Sequence, residues 1–337
     1  MNARNGDFGV LDFTPLVQLL PRIPKLLSSL GLVQNTVMGT STVAQVERVT
    51  EALDAIQARA RGGDRNYAGR ENAIVRNFNV PFFPLDTRFT AQEIQDLREY
   101  GTSDTPATVE ARVMRSMQRI VNSHTNGFEK ALYTAVKGSS YSPSWAQGQY
   151  DYYAEFGVNS LKKTFAIDFT DNTKDPRITV EKEARKHIIT NAADNGDSYK
   201  VIALVGSGFF NSLITHPLVQ AAYDSYPSES EPLRKRLGGE LINRSFDTSG
   251  VTYIEDISGE IADGDAYFLP MGISTMFMAQ YAPADSVLYA NQPAQEMYVF
   301  LDESSHRVSK VETETGFIIV NTRPELVVKA TGNTLRV

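Results

Sequence analysis

One unbroken helical stripe limits what this chain can become more than any other feature. Thr105 is placed to cap a helix, Pro106 to open it and Gly138 to stop it. Between them Val109, Val113, Met117, Ile120, Val121, His124, Phe128, Ala131, Leu132 and Ala135 recur at three- and four-residue steps, which marks a single apolar face. At about 1.5 Å per residue, a helix over 106–137 spans about 48 Å. That is roughly two to four times the usual globular length. A helix so long with one apolar side reads as a spine that supports a sheet.

The segments before the spine read as having little core of their own. Residues 1–40 form an arm of two stubby helices. Thr14 caps the first, with Leu16, Val17, Leu19 and Leu20 as its apolar face, and Pro21 ends it. The second follows Pro24, carries Leu26, Leu27 and Leu30, and stops at Gly31. Residues 41–84 alternate loosely and read as a long strand pair. Its turn, Arg61-Gly62-Gly63-Asp64-Arg65-Asn66-Tyr67-Ala68-Gly69-Arg70, is basic and glycine-rich. An isolated two-stranded ribbon is marginal in water, so it is expected to pack on another surface. Every basic residue from Arg48 to Arg119 is arginine, and its planar fork suits protein interfaces. Arg59, Arg61, Arg65, Arg70 and Arg76 are therefore expected at a contact between chains. A short helix after Thr90, with Glu93 completing a capping box, leads toward the spine.

Behind the spine, a strand at Lys163–Phe169 and a helix at Ile178–Ala193 precede a compact α/β unit. In that unit the strand Lys200–Val205 turns through Gly206-Ser207-Gly208 into a helix broken at His216-Pro217. A strand pair at Leu241–Phe246 and Val251–Ile254 follows, and Phe268-Leu269-Pro270 and the strand Ser274–Ala279 are expected to close the unit. Strands at Met297–Leu301, Val308–Glu314, Gly316–Val320 and Leu326–Lys329 complete an α+β chain.

Composition removes whole classes of chemistry. The 337 residues contain no cysteine, so disulfides, thiolate metal sites and thiol catalysis are excluded. The net charge of −7 argues against non-specific nucleic-acid binding, although it is also ordinary for solubility. The apolar stretch Phe8–Val33 is broken by Pro15, Pro21 and Pro24 and carries charge, so it reads as neither a membrane span nor a signal. Gly206-Ser207-Gly208 lacks the third glycine of a dinucleotide fingerprint, because position 211 is Asn211. It also lacks the first glycine of a nucleophile elbow, because Val205 stands there. His124, His187, His216 and His306 share no ligand spacing, and His124 reads as a packed histidine on the spine. Asp168, Asp171 and Asp175, and the acidic loop Asp256–Asp265, lack calcium-loop spacing. No catalytic, cofactor or metal residues are expected.

The order of elements resembles the tailed-phage capsid fold known from phage Hong Kong 97, and the residues resemble its lambda-type major capsid protein E family. Ala58-Arg59-Ala60-Arg61-Gly62-Gly63 looks like that family's hairpin tip. Asn79-Val80-Pro81-Phe82-Phe83-Pro84-Leu85-Asp86 looks like its exit strand. Glu129 to Gly138, Phe268-Leu269-Pro270 and Thr322 to Val328 are similar as well. The resemblance implies an N-terminal arm (1–40), an extended loop (41–84), a peripheral domain (85–195 and 291–337) with the spine at about 106–137, and an axial domain (196–290). It implies a structural protein that self-assembles into hexamers and pentamers of an icosahedral head enclosing double-stranded DNA, with assembly in the host cytoplasm. The arm, through Leu16, Leu19, Leu20, Leu26 and Leu27, would lie across an adjacent subunit. Scaffolding, portal and decoration proteins would be separate partners, since the chain lacks a long helical N-terminal extension. Some shells of this fold are cross-linked through a loop lysine. This chain has no lysine between Lys25 and Lys130, so its contacts are expected to be non-covalent. An encapsulin-like compartment and an α/β nucleotide-binding enzyme remain as alternatives.

Overall fold

The stripe folds as one helix. A computed structural model describes residues 10–12, 14–17, 20, 25–50, 72–90, 109–192, 199–224, 243–305 and 308–333. Two short helices, α1 (Thr14–Val17) and α2 (Leu26–Ser29), precede the spine α3 (Val109–Val136). Met117, Ile120, Val121, Ala131, Leu132 and Ala135 are buried, as their spacing requires. The capping Thr105, Pro106 and the short helix expected after Thr90 lie outside the described residues. Gly138 ends the spine with φ +90. A Cβ there would stand 2.4 Å from the Tyr153 ring, so only glycine fits this stop.

Two sheets flank the spine. In chain order the strands are β1 (Val10–Asp12), β2 (Asn35–Met38), β3 (Val43–Thr50), β4 (Asn72–Asn79), β5 (Phe82–Pro84), β6 (Thr87–Thr90), β7 (Lys163–Ile167), β8 (Lys200–Gly206), β9 (Ser245–Thr248), β10 (Val251–Asp256), β11 (Asp265–Met271), β12 (Phe277–Ala282), β13 (Tyr298–Ser305), β14 (Val308–Asn321) and β15 (Val328–Gly332). The first sheet runs β1-β13-β14-β12-β2, and β5 and β6 also pair with β14. The second runs β7-β15-β11-β8-β10-β9. Its central strand β8 is apolar without alternation because both faces are covered. Val201, Ala203 and Val205 pack toward Phe209, Phe210 and Leu213 of the helix Ser207–Thr215, while Ile202 and Leu204 join the core shared with the spine.

Two expectations change. The strand expected at Ser274–Ala279 does not close the α/β unit. It forms as β12 and pairs antiparallel with β14, Phe277 opposite Asn321, in the first sheet. Conversely β7 and β15, expected with the flanking segments, pair in parallel and extend the second sheet beside β11. The helix expected over Ile178–Ala193 is present as Pro176–Val180 and Lys186–Asn191, joined through a π turn at Glu181–Arg185.

Candidate functional site

The ribbon is the first candidate surface. β3 and β4 pair with each other and, among the described residues, with no other strand. Residues opposite one another in an antiparallel pair share a face, so Ala44 with Phe78, Val46 with Arg76, and Arg48 with Ile74 look one way. That face packs on the chain's own body. Ala44, Val46 and Phe78 are fully buried, and Phe78 meets the Tyr150 ring edge-on at 5.0 Å and the Tyr152 ring at 6.0 Å. The root of the ribbon therefore has a core within its own subunit, contrary to the sequence expectation. Arg76 belongs to this face. Its Nε donates to the Glu155 carbonyl at 2.6 Å, which ties this exposed side chain to its own subunit. Arg59, Arg61, Arg65 and Arg70 lie outside the described residues.

Sequence reasoning missed Arg48. Its Nη2 donates to Glu325 Oε1 at 2.7 Å, with both side chains buried. The guanidinium also stands 5.8 Å from the Phe156 ring centre. Burial pulls the Arg48 guanidinium below its ordinary value, and the Glu325 carboxylate opposes that pull. The available signal was register: inward alternation with Ala44 and Val46 places Arg48 inside.

The arm is the second candidate, and most of what the structure describes of it is bound to its own chain. β1 pairs with β13 and β2 with β12. Leu27 is fully buried, Leu26 packs against the same core and Leu20 against the cluster around Phe89 and Met117. Glu129 on the spine explains the attachment. Its carboxylate accepts from Leu27 N at 2.6 Å and from Ser28 N at 3.1 Å. This closes the unsatisfied donors at the start of α2. Leu27 is thus used up inside this subunit, while Leu20 and Leu26 are half-buried against it. The Leu16 side chain and all of Leu19 lie outside the described residues.

The third candidate is the Gly206–Gly208 turn, and its chemistry is spent internally. Gly208 N donates to Asp263 Oδ1 at 2.6 Å and Phe209 N to Asp263 O at 2.8 Å, so the amides that would hold a phosphate or oxyanion are occupied. A Cβ at Gly206 would stand 2.3 Å from the Ala262 carbonyl, which explains the glycine by packing. Ser207 bonds to Glu255, whose carboxylate takes Arg244 in a fork at 2.6 Å on each arm. Arg244 holds the Glu255 carboxyl below the usual carboxylate range.

The described histidines are separated. His124 faces Thr313 Oγ1 at 3.3 Å, His187 the Glu325 carbonyl at 3.0 Å and His216 the Asp171 carbonyl at 3.4 Å. His306 lies outside the described residues. Burial pushes His124 down to about 4. Among the described residues no group of three or more histidines and carboxylates is arranged to hold a metal.

A spine under one sheet, a second two-faced sheet and a self-paired ribbon define a phage capsid subunit of the Hong Kong 97-like fold. Residues 10–332 match the model of phage major capsid protein E, and the chain belongs to that family. It is 31% identical to the major capsid protein of Pseudomonas phage KPP10 over 96% of this chain and 97% of that protein. The major capsid protein of Salmonella phage Felix O1 is 24% identical over 97% of each. Among solved structures, the capsid asymmetric unit of cyanophage Pam1 has the same fold at a TM-score of 0.51 and 12% identity, covering 87% of this chain and 85% of that one. The protein is a structural component of the virion capsid and not an enzyme.

Proposed function

We propose that the chain assembles as hexamers and pentamers into an icosahedral head around double-stranded DNA, in the host cytoplasm, through non-covalent contacts. The observation that carries this reading is the ribbon. Its root is anchored by Phe78 and Arg48, its outer face with Val43, Gln45, Glu47, Val75 and Asn77 is uncovered, and it leads into the arginine-bearing segment 51–71. Such a ribbon is suited to lie on a neighbouring copy, where Arg59, Arg61, Arg65 and Arg70 would meet carboxylates. Leu16 and Leu19 remain candidates for the arm's contact with an adjacent subunit. The peripheral domain corresponds to the spine and the first sheet. The axial domain corresponds to the second sheet, to which β7 and β15 are added. Many modest interfaces in a closed lattice reinforce one another, so no single large one is required. Scaffolding, portal and decoration proteins are further partners of this assembly.

Negative-stain microscopy of the purified chain tests the proposal. Shells, tubes or capsomer rings are the expected outcome. A chain that stays monomeric across protein concentration and salt overturns it, and protein cargo in place of DNA inside the particles points to a nanocompartment.

A further inference from the structure

Acidic residues outnumber basic ones 40 to 33 in this chain, yet one long exposed face carries basic charge alone. Along the spine Arg115, Arg119, Ser123, Asn126, Lys130 and, one residue past its end, Lys137 are all exposed. At 3.6 residues per turn they fall within an arc of about 80°. That arc lies across the helix from the buried Met117, Ile120, Ala131 and Ala135. From Arg115 to Lys137 the row runs about 33 Å.

No carboxylate of the spine neutralises it. Between Arg115 and Lys137 the sequence has a single one, Glu129, and it is buried under α2, where it accepts from Leu27 N, Ser28 N and Ser28 Oγ. Its charge is spent on the arm. From outside the spine Glu260 approaches: its Oε1 stands 3.5 Å from Lys130 Nζ, and its carbonyl accepts from Lys137 Nζ at 2.6 Å. Both lysines remain exposed, so the ion pair is weak and each ammonium keeps donors for another partner. Arg115 also makes an interaction within the chain, and its five guanidinium donors allow a further one.

A row of cations fits a polyanion, and the residues between the charges decide which kind. A protein partner calls for an apolar centre to the contact. Here the intervening exposed residues are Ser123 and Asn126, and the exposed Met114 stands more than a third of a turn round the helix. Contacts with DNA, by contrast, are polar and positively charged throughout.

We propose that the exposed face of the spine holds the phosphate backbone of double-stranded DNA through Arg115, Arg119, Lys130 and Lys137. The contact rests on the shell-building reading and turns this face toward the particle interior. Four cations make a weak, sequence-independent contact along which DNA slides. Repeated in every copy of a shell, such contacts add up, while the acidic balance of the rest of the chain keeps DNA from adhering elsewhere.

Fluorescence anisotropy of a short DNA duplex with the full chain, titrated with salt, tests the contact. Log affinity against log salt is expected to fall with a slope of about −3.6 for four displaced phosphate counterions. Arg119→Gln with Lys130→Gln, and separately Arg115→Gln with Lys137→Gln, are each expected to bring the slope to about −1.8. Both pairs change exposed side chains to a good helix former and are expected to melt at the wild-type temperature. Lys182→Gln with Lys186→Gln removes the same charge from another exposed place and is expected to leave the slope unchanged. No binding to the duplex at low salt, equal slopes in wild type and both spine variants, or an equal drop in the control overturns the proposal. Binding to polyglutamate but not to the duplex overturns it in favour of an acidic protein partner. In DNA-filled particles treated with formaldehyde, peptides bearing Lys130 or Lys137 are expected on the DNA. A chain that forms no DNA-filled particles defeats the shell reading itself, whereas filled particles in which only other lysines cross-link to DNA defeat this contact alone.

Discussion

His124 shows how one half-buried side chain makes a structural subunit sensitive to acid. Its ring lines a cavity beside Val121 and Phe128, and burial holds it at about 4 against an ordinary 6.5. The folded chain therefore keeps this imidazole neutral at pH values where the unfolded chain protonates it. Between about 6.5 and 4 the unfolded state binds the extra proton, so stability falls as pH drops through that window and is level above it. The loss reaches at most about 3 kcal/mol. His124→Gln should give a flatter curve of unfolding free energy against pH than wild type, measured by urea titration from pH 7 to 4. Carboxylates paired in the fold, such as Glu255, lose stability in acid in both proteins, so the difference between the two curves isolates the histidine. Arg48 and Glu325 are the second residue-scale test. Arg48→Met leaves a buried carboxylate without its main partner and should cost about 3 kcal/mol in chemical unfolding. Adding Glu325→Leu should recover much of that loss, because the uncompensated charge is then gone. If the double variant is no more stable than the single one, the pair is not an isolated unit.

At the scale of elements, short pieces hold only where a longer one receives them. α2 has four residues, too few to be stable alone. It persists because Leu27 is buried and Glu129 closes its amides. Glu129→Ala should therefore cost about 1–3 kcal/mol in thermal unfolding, and limited proteolysis should cut first at 25–34. Wild-type cleavage kinetics there would refute this account of the arm. Gly138 is the opposite case, a stop visible in the sequence for a reason visible only in three dimensions. Helix pattern marks where the spine must end, but the positive φ and the Tyr153 ring decide that no other residue serves. Gly138→Ala should lower the melting temperature, since the added methyl meets an aromatic ring in a closed core. The strand now seen as β12 carries the limit of local reading. Its residues are strand-like wherever they go, and the choice of β14 as partner joins positions about forty residues apart, which no local pattern specifies.

For the whole molecule, the order of elements was legible and their destinations were only partly so. An arm and ribbon with little apparent core argued for burial on other copies. The structure instead returns β1, β2, α2 and the ribbon's root to the chain's own sheet and spine. Family membership stands on the match over residues 10–332, so it does not depend on that argument. One assembly property follows from sequence alone. With no cysteine, and no lysine between Lys25 and Lys130, mature particles should run as monomer on denaturing gels, and a ladder of multimers would refute non-covalent assembly. The sequence by itself determined the spine, the ribbon's existence, the glycine stop and the exclusion of thiol chemistry, because periodicity, turn residues and composition are local properties of the chain. Tertiary structure alone decided which sheet each strand joined and why Glu129 and Arg48 are buried, because those depend on partners distant in the chain whose register only the folded core selects.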